Sequence, residues 1–452
     1  MAAEARALLL GRRRLGRRPG PGRRWLLGRS LLRRRSLLRR RFGGHSANNA
    51  NTSNTSNSLI RPCLLVVGHL TGVSVAFRRE AGPHASVGDD TDTGGNTAMT
   101  ATTTTTLDQR VLEAAIGALE LFGIHLGGRL GLYDALLGGA GTVAEVAAAA
   151  GIAPRYAQEW LEQQAVAGVL TVDDVTAEAG ARRYSLPEAH VGVVADPLAL
   201  DHLAPLAGLV VGIASVLDDV IDAYRTGGGV PYARYGDEFR RGQGAINRPA
   251  FTSALVQDWL PALGPAVERL ATGGRLADLG CGQGWSAIAV ARAFPSAEVW
   301  GIDSDAASIA EAGTAAGQHG VDVRFECADA GTLAAAGPFD VVTLLEALHD
   351  LARPVDVLAA ARAALAADGV MLVADEAVAP AFTAPGDDLE RMMYGWSITH
   401  CLPAAMAEQP SAAIGTVIRE DTVRELATRA GFASVEVLDV DGGFFRLYAL
   451  RP

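Results

Sequence analysis

The sequence contains no lysine, so all 40 of its basic residues are arginine, against 50 acidic residues. Together with 52 glycines, this absence is more typical of a coding bias than of selection for guanidinium chemistry. Cysteine is also scarce: Cys63, Cys281, Cys327 and Cys401 are scattered, without the spacing of a metal site. We therefore predict no metal centre and a reducing, cytoplasmic compartment.

Long apolar runs are lacking as well, because none reaches the length that crosses a bilayer. The sequence therefore predicts no membrane span. The 452 residues are 49% hydrophobic, which is enough for two or three domains, each with a sizeable core.

The arginines are unevenly distributed. Residues 1–98 hold 18 arginines and five acidic residues, a net charge of +13, which leaves −23 for the remaining chain. Three interpretations of this leader stay open. It is an upstream extension with the natural start at Met99, a transit peptide that would place the protein in an organelle, or a disordered arm that binds nucleic acid or an anionic membrane.

Residues 107–190 carry the pattern of three helices and a hairpin. The first helical pattern spans Leu107–Gly138 and is interrupted at Gly127-Gly128. The second begins with Thr142 and has Glu145 three positions later, which is the form of a capping box.

The third helix opens at Pro154, a residue tolerated in a first helical turn. Two short strand patterns, residues 169–173 and 182–186, follow it. Three helices and a hairpin predict a winged helix-turn-helix domain. Such a domain binds DNA or serves pairing and active-site closure. The candidate recognition helix has Arg155 against Glu159 and Glu162, so duplex phosphates would repel it and we favour the second role.

A helical connector is expected over residues 191–245, with a long apolar helix or helix pair from Asp201 to Tyr224. An amphipathic helix over residues 247–270 then leads into the last domain, which we place at 246–452.

The segment Leu276–Gly284 (LADLGCGQG) organises that domain. A buried strand ends in Gly280, Gly282 and Gly284, and a helical pattern starts at Trp285. Strand, glycine turn and helix form a ligand-binding unit of an open α/β sheet. A dinucleotide fingerprint would need a third glycine at the position of Trp285, so an NAD-dependent oxidoreductase is disfavoured.

Four further strand patterns end in polar residues: Asp303, Asp329, the segment Glu346–Asp350, and Asp375-Glu376. A carboxylate at the position of Asp303 can accept hydrogen bonds from both hydroxyls of a ribose. Two closing strand patterns are joined by Asp441-Gly442-Gly443, a hairpin signal. The fold class predicted is α/β: a Rossmann-like sheet with a terminal antiparallel hairpin, preceded by an α-helical winged-helix domain.

An acid followed by G-x-G-x-G, with acids at successive strand ends, resembles class I S-adenosylmethionine (SAM) methyltransferases, which have a seven-stranded sheet. Further segments resemble an actinobacterial-type family that joins a winged helix to such a domain, related in layout to small-molecule O-methyltransferases. They are Gly242-Gln243, Ile246-Asn247-Arg248-Pro249, Leu348-His349-Asp350 and Thr399-His400-Cys401-Leu402-Pro403, and the resemblance spans residues 107–452. The resemblance implies SAM as cofactor, Asp278 near its ammonium group and Asp329 near its adenine. The cofactor-binding residues expected are Asp278, Leu279, Gly280, Gly282, Gly284, Asp303, Ser304, Asp329, Ala330 and Glu346.

Leu348-His349-Asp350 resembles the catalytic histidine segment of plant-type O-methyltransferases, although Leu351 stands where those carry tryptophan. His349 is thus a candidate base for an acceptor hydroxyl. The alternative is a histidine that begins a helix and bonds to backbone.

The segment from Asp387 to Gly415 is expected to roof the acceptor pocket, because it is inserted at the ligand-binding edge of the sheet. His400-Cys401 suggests a metal, but no third ligand has helical spacing, so we predict none. We expect a methyltransferase of a small-molecule acceptor that acts as a homodimer. The second hypothesis is a winged-helix transcription regulator that uses the SAM fold as a sensor.

Overall fold

The computed structural model describes residues 106–452, so the hypotheses for residues 1–98 lie outside the described residues. The α-helices are α1 (Leu107–Arg129), α2 (Val143–Ala150), α3 (Pro154–Val166), α4 (Glu188–Val194), α5 (Pro205–Ala214), α6 (Leu217–Thr226), α7 (Gly236–Thr252), α8 (Pro265–Glu268), α9 (Trp285–Ala293), α10 (Ala306–His319), α11 (Pro354–Ala364), α12 (Asp388–Trp396), α13 (Leu402–Met406) and α14 (Glu420–Arg429). The strands are β1 (Gly141–Thr142), β2 (Thr171–Val172), β3 (Arg183–Ser185), β4 (Arg275–Leu279), β5 (Glu298–Asp303), β6 (Arg324–Cys327), β7 (Phe339–Leu345), β8 (Leu365–Glu376), β9 (Ser434–Val437) and β10 (Phe445–Arg451).

The winged helix forms as predicted, with α1 to α3 beside a small sheet of order β1-β3-β2. The capping box at Thr142 is confirmed: its backbone N–H donates to Glu145 Oε2 at 2.8 Å. The hydroxyl of Thr142 in turn accepts from the Glu145 N–H at 3.3 Å. α3 begins at Pro154, as expected.

The helix was predicted to be interrupted at Gly127-Gly128, and α1 ends one residue later, at Arg129. The rest of the predicted pattern contains the 3₁₀ helix Asp134–Leu136. A Cβ added at Gly127 would lie 2.5 Å from the ring of Tyr133 and 2.6 Å from that of Trp160. One turn earlier, the Trp160 indole donates to the Gly123 carbonyl at 2.8 Å. Gly123 and Gly127 therefore also permit close packing of the end of α1.

Much of α1 before these glycines is apolar and exposed. The exposed side chains are Leu107, Val111, Leu112, Ile116, Leu119, Phe122 and Leu126. With 23 residues and a hydropathy of 1.4, α1 is long and apolar enough to cross a membrane. This differs from the expectation that no segment has that length. Length and composition alone are a weak criterion, since a helix that packs in a soluble fold meets it too.

The connector contains the helix pair α5 and α6 in place of one long helix. α5 packs closely on α7, since a Cβ added at Gly212 would lie 2.5 Å from Phe239 Cβ. The predicted helix over residues 247–270 is wrong. α7 ends at Thr252, and short π- and 3₁₀-helical turns and α8 follow. Pro261 and Pro265 lack the N–H of a helical hydrogen bond, and each stands in the first turn of a new short helix.

The second sheet has seven strands in the order β6-β5-β4-β7-β8-β10-β9. β10 runs antiparallel to β8 and to β9, while the pairs among β4 to β8 are parallel. The predicted fold class is confirmed, including the terminal hairpin. The strand order reverses between β4 and β7, and in open α/β sheets ligands bind at the carboxyl ends of such strands.

Two apolar layers cover this sheet. One contains Leu279, Leu344 and Tyr448 with helices α11 and α14. The other contains Leu276, Val341 and Trp259 with helix α9. The five inner strands of this sheet are buried on both faces, so the candidate functional groups of the domain are the polar residues at the strand ends. These strands are β5, β4, β7, β8 and β10.

Candidate active site

The turn after β4 is built from three glycines with left-handed backbone. The φ angles of Gly280, Gly282 and Gly284 are 65°, 51° and 76°, which other residues adopt only with strain. An added Cβ would lie 2.9 Å from Ala347 at Gly280 and 2.6 Å from Phe325 at Gly284. At Gly282 it would meet no atom within 4 Å, so this glycine leaves the side of the turn open for a ligand.

Asp278 lies inside the domain and is 1% exposed. The Thr343 hydroxyl donates to its Oδ1 at 2.6 Å, and the Ser286 hydroxyl donates to its Oδ2. Burial raises the pKa of Asp278 to about 6. The carboxylate therefore joins β4, β7 and α9, and the side chain of Leu279 beside it belongs to the core.

Asp303 ends β5 and faces the glycine turn. Its Oδ2 accepts a hydrogen bond from the Gly282 backbone at 2.8 Å. Its Oδ1 accepts one from the Asp305 backbone at 2.8 Å. Burial raises the pKa of Asp303. Among the predicted acids, this one is in direct contact with the turn, while Ser304 beside it is exposed.

Asp329 follows β6, the next strand outward. The Ala328 N–H donates to the Asp303 carbonyl at 3.0 Å, so the ends of β5 and β6 are adjacent. The side chain of Asp329 is 52% exposed and pairs with Arg353 at 3.0 Å. Its Oδ1 also accepts a hydrogen bond from the Gly331 N–H at 2.7 Å. Asp329 thereby caps the short 3₁₀ helix that contains Ala330.

Glu346 lies at the end of β7 with a left-handed backbone, φ 52°. Its Oε2 accepts hydrogen bonds from the side-chain amides of Gln243, at 2.9 Å, and Asn247. Burial raises its pKa to about 7, and the two amides oppose that rise. Gln243 and Asn247 belong to the segments that resemble the actinobacterial-type family, but neither was predicted to be a site residue. Neither stands near Glu346 in the chain, so only the fold shows the contact.

His349 is 2% exposed and is held by a buried carboxylate. Its Nδ1 donates to Asp375 Oδ1 at 2.7 Å. That Oδ1 also accepts from the Glu376 backbone at 3.0 Å. Burial alone would lower the pKa of His349, but the charges of Asp375 and Asp350 raise it well above its ordinary value. Asp375 was recognised in the sequence only as a strand end, because its partner lies on another strand.

Glu376, the last residue of β8, is 3% exposed. Its Oε2 has no hydrogen-bond partner among the described residues. Burial, followed by the charge of Glu346, raises its pKa well above the ordinary value. Burial therefore favours the neutral forms of Glu346 and Glu376, at the ends of β7 and β8.

The predicted roof consists of α12, a π-helical turn over Ser397–Cys401 and α13. Two tyrosine hydroxyls anchor the turn: Tyr224 donates to the Ile398 carbonyl and Tyr235 to the Thr399 carbonyl, each at 3.0 Å. His400 stacks on Phe239 with ring centroids 4.1 Å apart, and burial lowers its pKa to about 4. The turn also brings Cys401 beside His349 and Asp350.

Two family models match this chain. Residues 270–431 match the model described as a methyltransferase domain. Residues 117–195 match the model described as an Rv2258c-like winged HTH domain. The first match covers the glycine turn and the strand ends around it, and the second covers the winged helix.

Curated relatives match over part of the chain. The ubiquinone biosynthesis O-methyltransferase of Caulobacter sp. (strain K31) is 36% identical over 102 residues, 22% of this chain and 40% of that protein. Its counterpart in Caulobacter vibrioides is 37% identical over 101 residues, 22% of this chain and 39% of that protein. The chain thus matches about two fifths of these relatives' length.

Solved structures match over most of the described residues. The mitomycin 7-O-methyltransferase MmcR superposes with a TM-score of 0.55 at 18% identity, covering 76% of this chain and 97% of that one. Human N-acetylserotonin methyltransferase, solved with SAM, gives 0.55 at 18% identity and covers 77% and 99%. At such identities the likeness shows the fold.

The residues present fit a SAM nucleoside. The open side of Gly282 allows a ligand to approach the backbone, and Asp303 holds a carboxylate beside it. The sheet order, both family matches and this fit agree with the resemblance noted in the sequence. The chain thus combines a methyltransferase domain, matched over residues 270–431, with an Rv2258c-like winged HTH domain, matched over residues 117–195.

Proposed function

We propose that this protein transfers the methyl group of SAM to a hydroxyl oxygen of a small-molecule acceptor, with His349 as the base. The observation that carries the proposal is the buried pair of His349 and Asp375, joined at 2.7 Å. The pair stands where β7 and β8 end, and β7 is the neighbour of the strand that carries the glycine turn.

For the cofactor, we assign the ribose hydroxyls to Asp303, whose carboxylate lies at the tip of β5. The turn of Gly280, Gly282 and Gly284 supplies backbone against which the nucleoside rests. Asp278 supports this turn from inside the domain, because both of its oxygens already accept hydroxyl hydrogen bonds. The remaining proposed contacts are Leu279 through its backbone, Ser304, Asp329, Ala330 and Glu346.

When bound, SAM supplies an electrophilic methyl group on a sulfonium. The protein's part is to align the acceptor, exclude water and take up a proton. Asp375 fixes the proton of His349 on Nδ1, which leaves Nε2 as the nitrogen that accepts the acceptor's hydroxyl proton. The charge of Asp375 stabilises the imidazolium that results.

The acceptor is proposed to lie under the π-helical turn and α12. Aromatic side chains border this region, among them Tyr232, Tyr235 and Phe239 around His400. The similar proteins named above include a ubiquinone-pathway, a mitomycin and an N-acetylserotonin methyltransferase. Their names support a small, ring-containing acceptor for this chain as well.

A homodimer is proposed through α1, whose apolar side chains on one side remain exposed. Near the end of the helix, Gly123 and Gly127 pack on Trp160. A second copy that presents the same face would cover the exposed side in a symmetric contact.

The proposal is tested first by thermal denaturation with S-adenosylhomocysteine and, as a control, with NAD. Stabilisation by the first and not by the second is expected. Labelled SAM is then incubated with the protein and a metabolite extract. Transfer of label to an acceptor by the wild-type chain, lost in His349→Ala while S-adenosylhomocysteine still binds, supports the base. Equal transfer by the variant removes His349 from that role.

A further inference from the structure

Three metal-ligating side chains meet at the roof of the site. His349 and Asp350 belong to the short 3₁₀ helix after β7, and Cys401 ends the π-helical turn before α13. One donor atom from each lies within 4.8 Å of the other two. The sequence predicted no metal because His400-Cys401 has no third ligand at helical spacing. The fold supplies the missing donors from another strand end.

The histidine is oriented for coordination. Asp375 accepts a hydrogen bond from Nδ1 at 2.7 Å, so Nε2 is the nitrogen that faces Asp350. The distance from Nε2 to Asp350 Oδ1 is 3.4 Å. Zinc bonds of roughly 2.0–2.1 Å to nitrogen and oxygen in a tetrahedron place these ligands about 3.3 Å apart. A carboxylate behind a ligating histidine is the usual arrangement in zinc sites.

The surroundings also suit an ion. His349 and Cys401 are buried, with 2% and 6% of their surface exposed. The side chain of Asp350 is 33% exposed, which gives an ion a path from solvent. Its Oδ1 is buried and accepts no hydrogen bond within residues 106–452.

A second group of donors, His349 with Asp375 and Glu376, is also close enough to hold a metal. It would use Nδ1, which is already bonded to Asp375, and would leave Nε2 out. The group with Cys401 uses the free nitrogen, so the geometry favours it. Its nitrogen, oxygen and sulfur donors suit Zn²⁺, whereas Mg²⁺ and Ca²⁺ take oxygen donors.

We propose that His349, Asp350 and Cys401 form a zinc site that switches off methyl transfer. On binding, the S–H bond of Cys401 breaks, its electron pair forms the bond to Zn²⁺, and the proton leaves to solvent. No atom is oxidised or reduced. The ion takes the lone pair of His349 Nε2, the same pair that would accept the acceptor's proton. Inhibition therefore rests on the proposed function, whereas metal binding does not.

Cobalt is the probe for binding, because a thiolate bonded to Co²⁺ gives a near-ultraviolet charge-transfer band. The full chain is titrated with Co²⁺, and one equivalent is expected to produce the band and Zn²⁺ to abolish it by displacement. Cys401→Ser should lose the band. The matched control is Cys327→Ser, which removes an exposed thiol and should keep it. Asp375→Asn should weaken Zn²⁺ binding by about 10–100-fold.

S-adenosylhomocysteine binding shows that each variant is folded, and Asp350→Asn serves as a second ligand variant if Cys401→Ser does not fold. No band in a wild-type chain that binds S-adenosylhomocysteine overturns the site, as does a band that survives Cys401→Ser. Once an acceptor is identified, the methyl-transfer rate with Zn²⁺ is compared with the zinc-free rate of the same variant. Zn²⁺ should inhibit wild type and Cys327→Ser, and should inhibit Cys401→Ser much less. A missing band with active methyl transfer rejects the zinc site alone. A band without any transfer rejects the proposed function alone.

Discussion

At the tip of β5, one carboxylate joins two elements of the site. The two oxygens of Asp303 accept backbone hydrogen bonds from Gly282 and Asp305. The side chain thus fixes the open side of the glycine turn relative to β5, in addition to any contact with a ligand. Removing the side chain should therefore weaken cofactor binding, both through the lost ligand contact and through the loss of support for the glycine turn.

Asp303→Ala is expected to weaken S-adenosylhomocysteine binding by about 1–3 kcal/mol, the cost of losing charge-assisted hydrogen bonds. Isothermal calorimetry measures the affinity. The control is Asp322→Ala, which removes an exposed acid just before β6, at the opposite edge of the sheet from Asp303, and should leave the affinity unchanged. Equal affinities for Asp303→Ala and wild type would contradict the ribose assignment.

Asp278 gives a prediction for stability. Burial raises its pKa from 3.8 to about 6, so between these values the folded state keeps a proton that the unfolded state releases. Its contribution to the free energy of unfolding is therefore present at low pH and lost as the pH rises through about 6. Asp278→Asn cannot ionise and its amide oxygen still accepts a hydroxyl hydrogen bond.

Denaturant unfolding at about pH 4 and pH 7 measures the effect. We expect Asp278→Asn to lose less stability than wild type between the two, by roughly 1–3 kcal/mol. Asp278→Ala, the control for lost hydrogen bonds, should be destabilised at both pH values because Ser286 and Thr343 lose their acceptor. The same pH dependence in wild type and Asp278→Asn would sink this account.

His349 should titrate above the ordinary histidine range, because Asp375 and Asp350 favour its charged form despite burial. Its base form, and with it methyl transfer, should therefore increase as the pH rises above neutrality. NMR titration of the imidazole, assigned by comparison with His349→Gln, reads the pKa directly. Asp375→Asn should lower that pKa, whereas Asp329→Asn, on a strand farther away, should not. An unshifted pKa in Asp375→Asn would contradict the charge argument.

At the scale of elements, the strands that begin the methyltransferase sheet were the most predictable. β7 ends at Leu345, directly before the segment Glu346–Asp350 where a strand end was predicted, because a buried strand between turn signals is a strong pattern. The end of α1 was predicted to within a residue, whereas residues 247–270 are not the single helix that was predicted. Pro261 and Pro265 each begin a new short helix there. The apolar periodicity of that segment competed with these local proline signals.

The site residues, too, could be predicted from the sequence only in part. The glycine turn and Asp303 stand next to recognisable strand patterns, so the sequence indicated them. Asp375, Gln243 and Cys401 contact site residues that are distant in the chain, and no spacing links them. A sequence pattern therefore identified which strand ends matter, while the pairings across the edge of the sheet came only from the fold.

The winged helix is expected not to bind duplex DNA. On α3, Arg155 is paired with Glu159 one turn later, and Glu162 with Arg182. The helix thus offers little unpaired positive charge for phosphates. A gel shift with mixed-sequence duplex at physiological salt should show no complex. A specific complex that Arg155→Ala abolishes would instead support the regulator hypothesis.

At the scale of the whole chain, the charge is divided between an arginine-rich leader and an acidic remainder, −23 over residues 99–452. Copies of an acidic domain repel one another, so a stable contact between them needs an apolar surface with few charges. α1 offers such a surface. Membrane insertion of the whole helix would require Gly123 to leave Trp160, whose indole donates to the Gly123 carbonyl.

Leu112 and Leu119 are 62% and 66% exposed and stand two turns apart on one side of α1. If a second copy covers this side, the double variant Leu112→Glu/Leu119→Glu should weaken dimerisation by at least about tenfold, since buried unpaired charges cost more than 1.4 kcal/mol. Sedimentation velocity over a concentration series measures the change. Glu113→Gln, at an exposed neighbouring position on the same helix, is the matched control and should remain as dimeric as wild type. A wild-type chain that sediments as a monomer, or a double variant as dimeric as the control, contradicts the contact, whereas co-sedimentation of wild type with neutral lipid vesicles would assign the surface to a membrane.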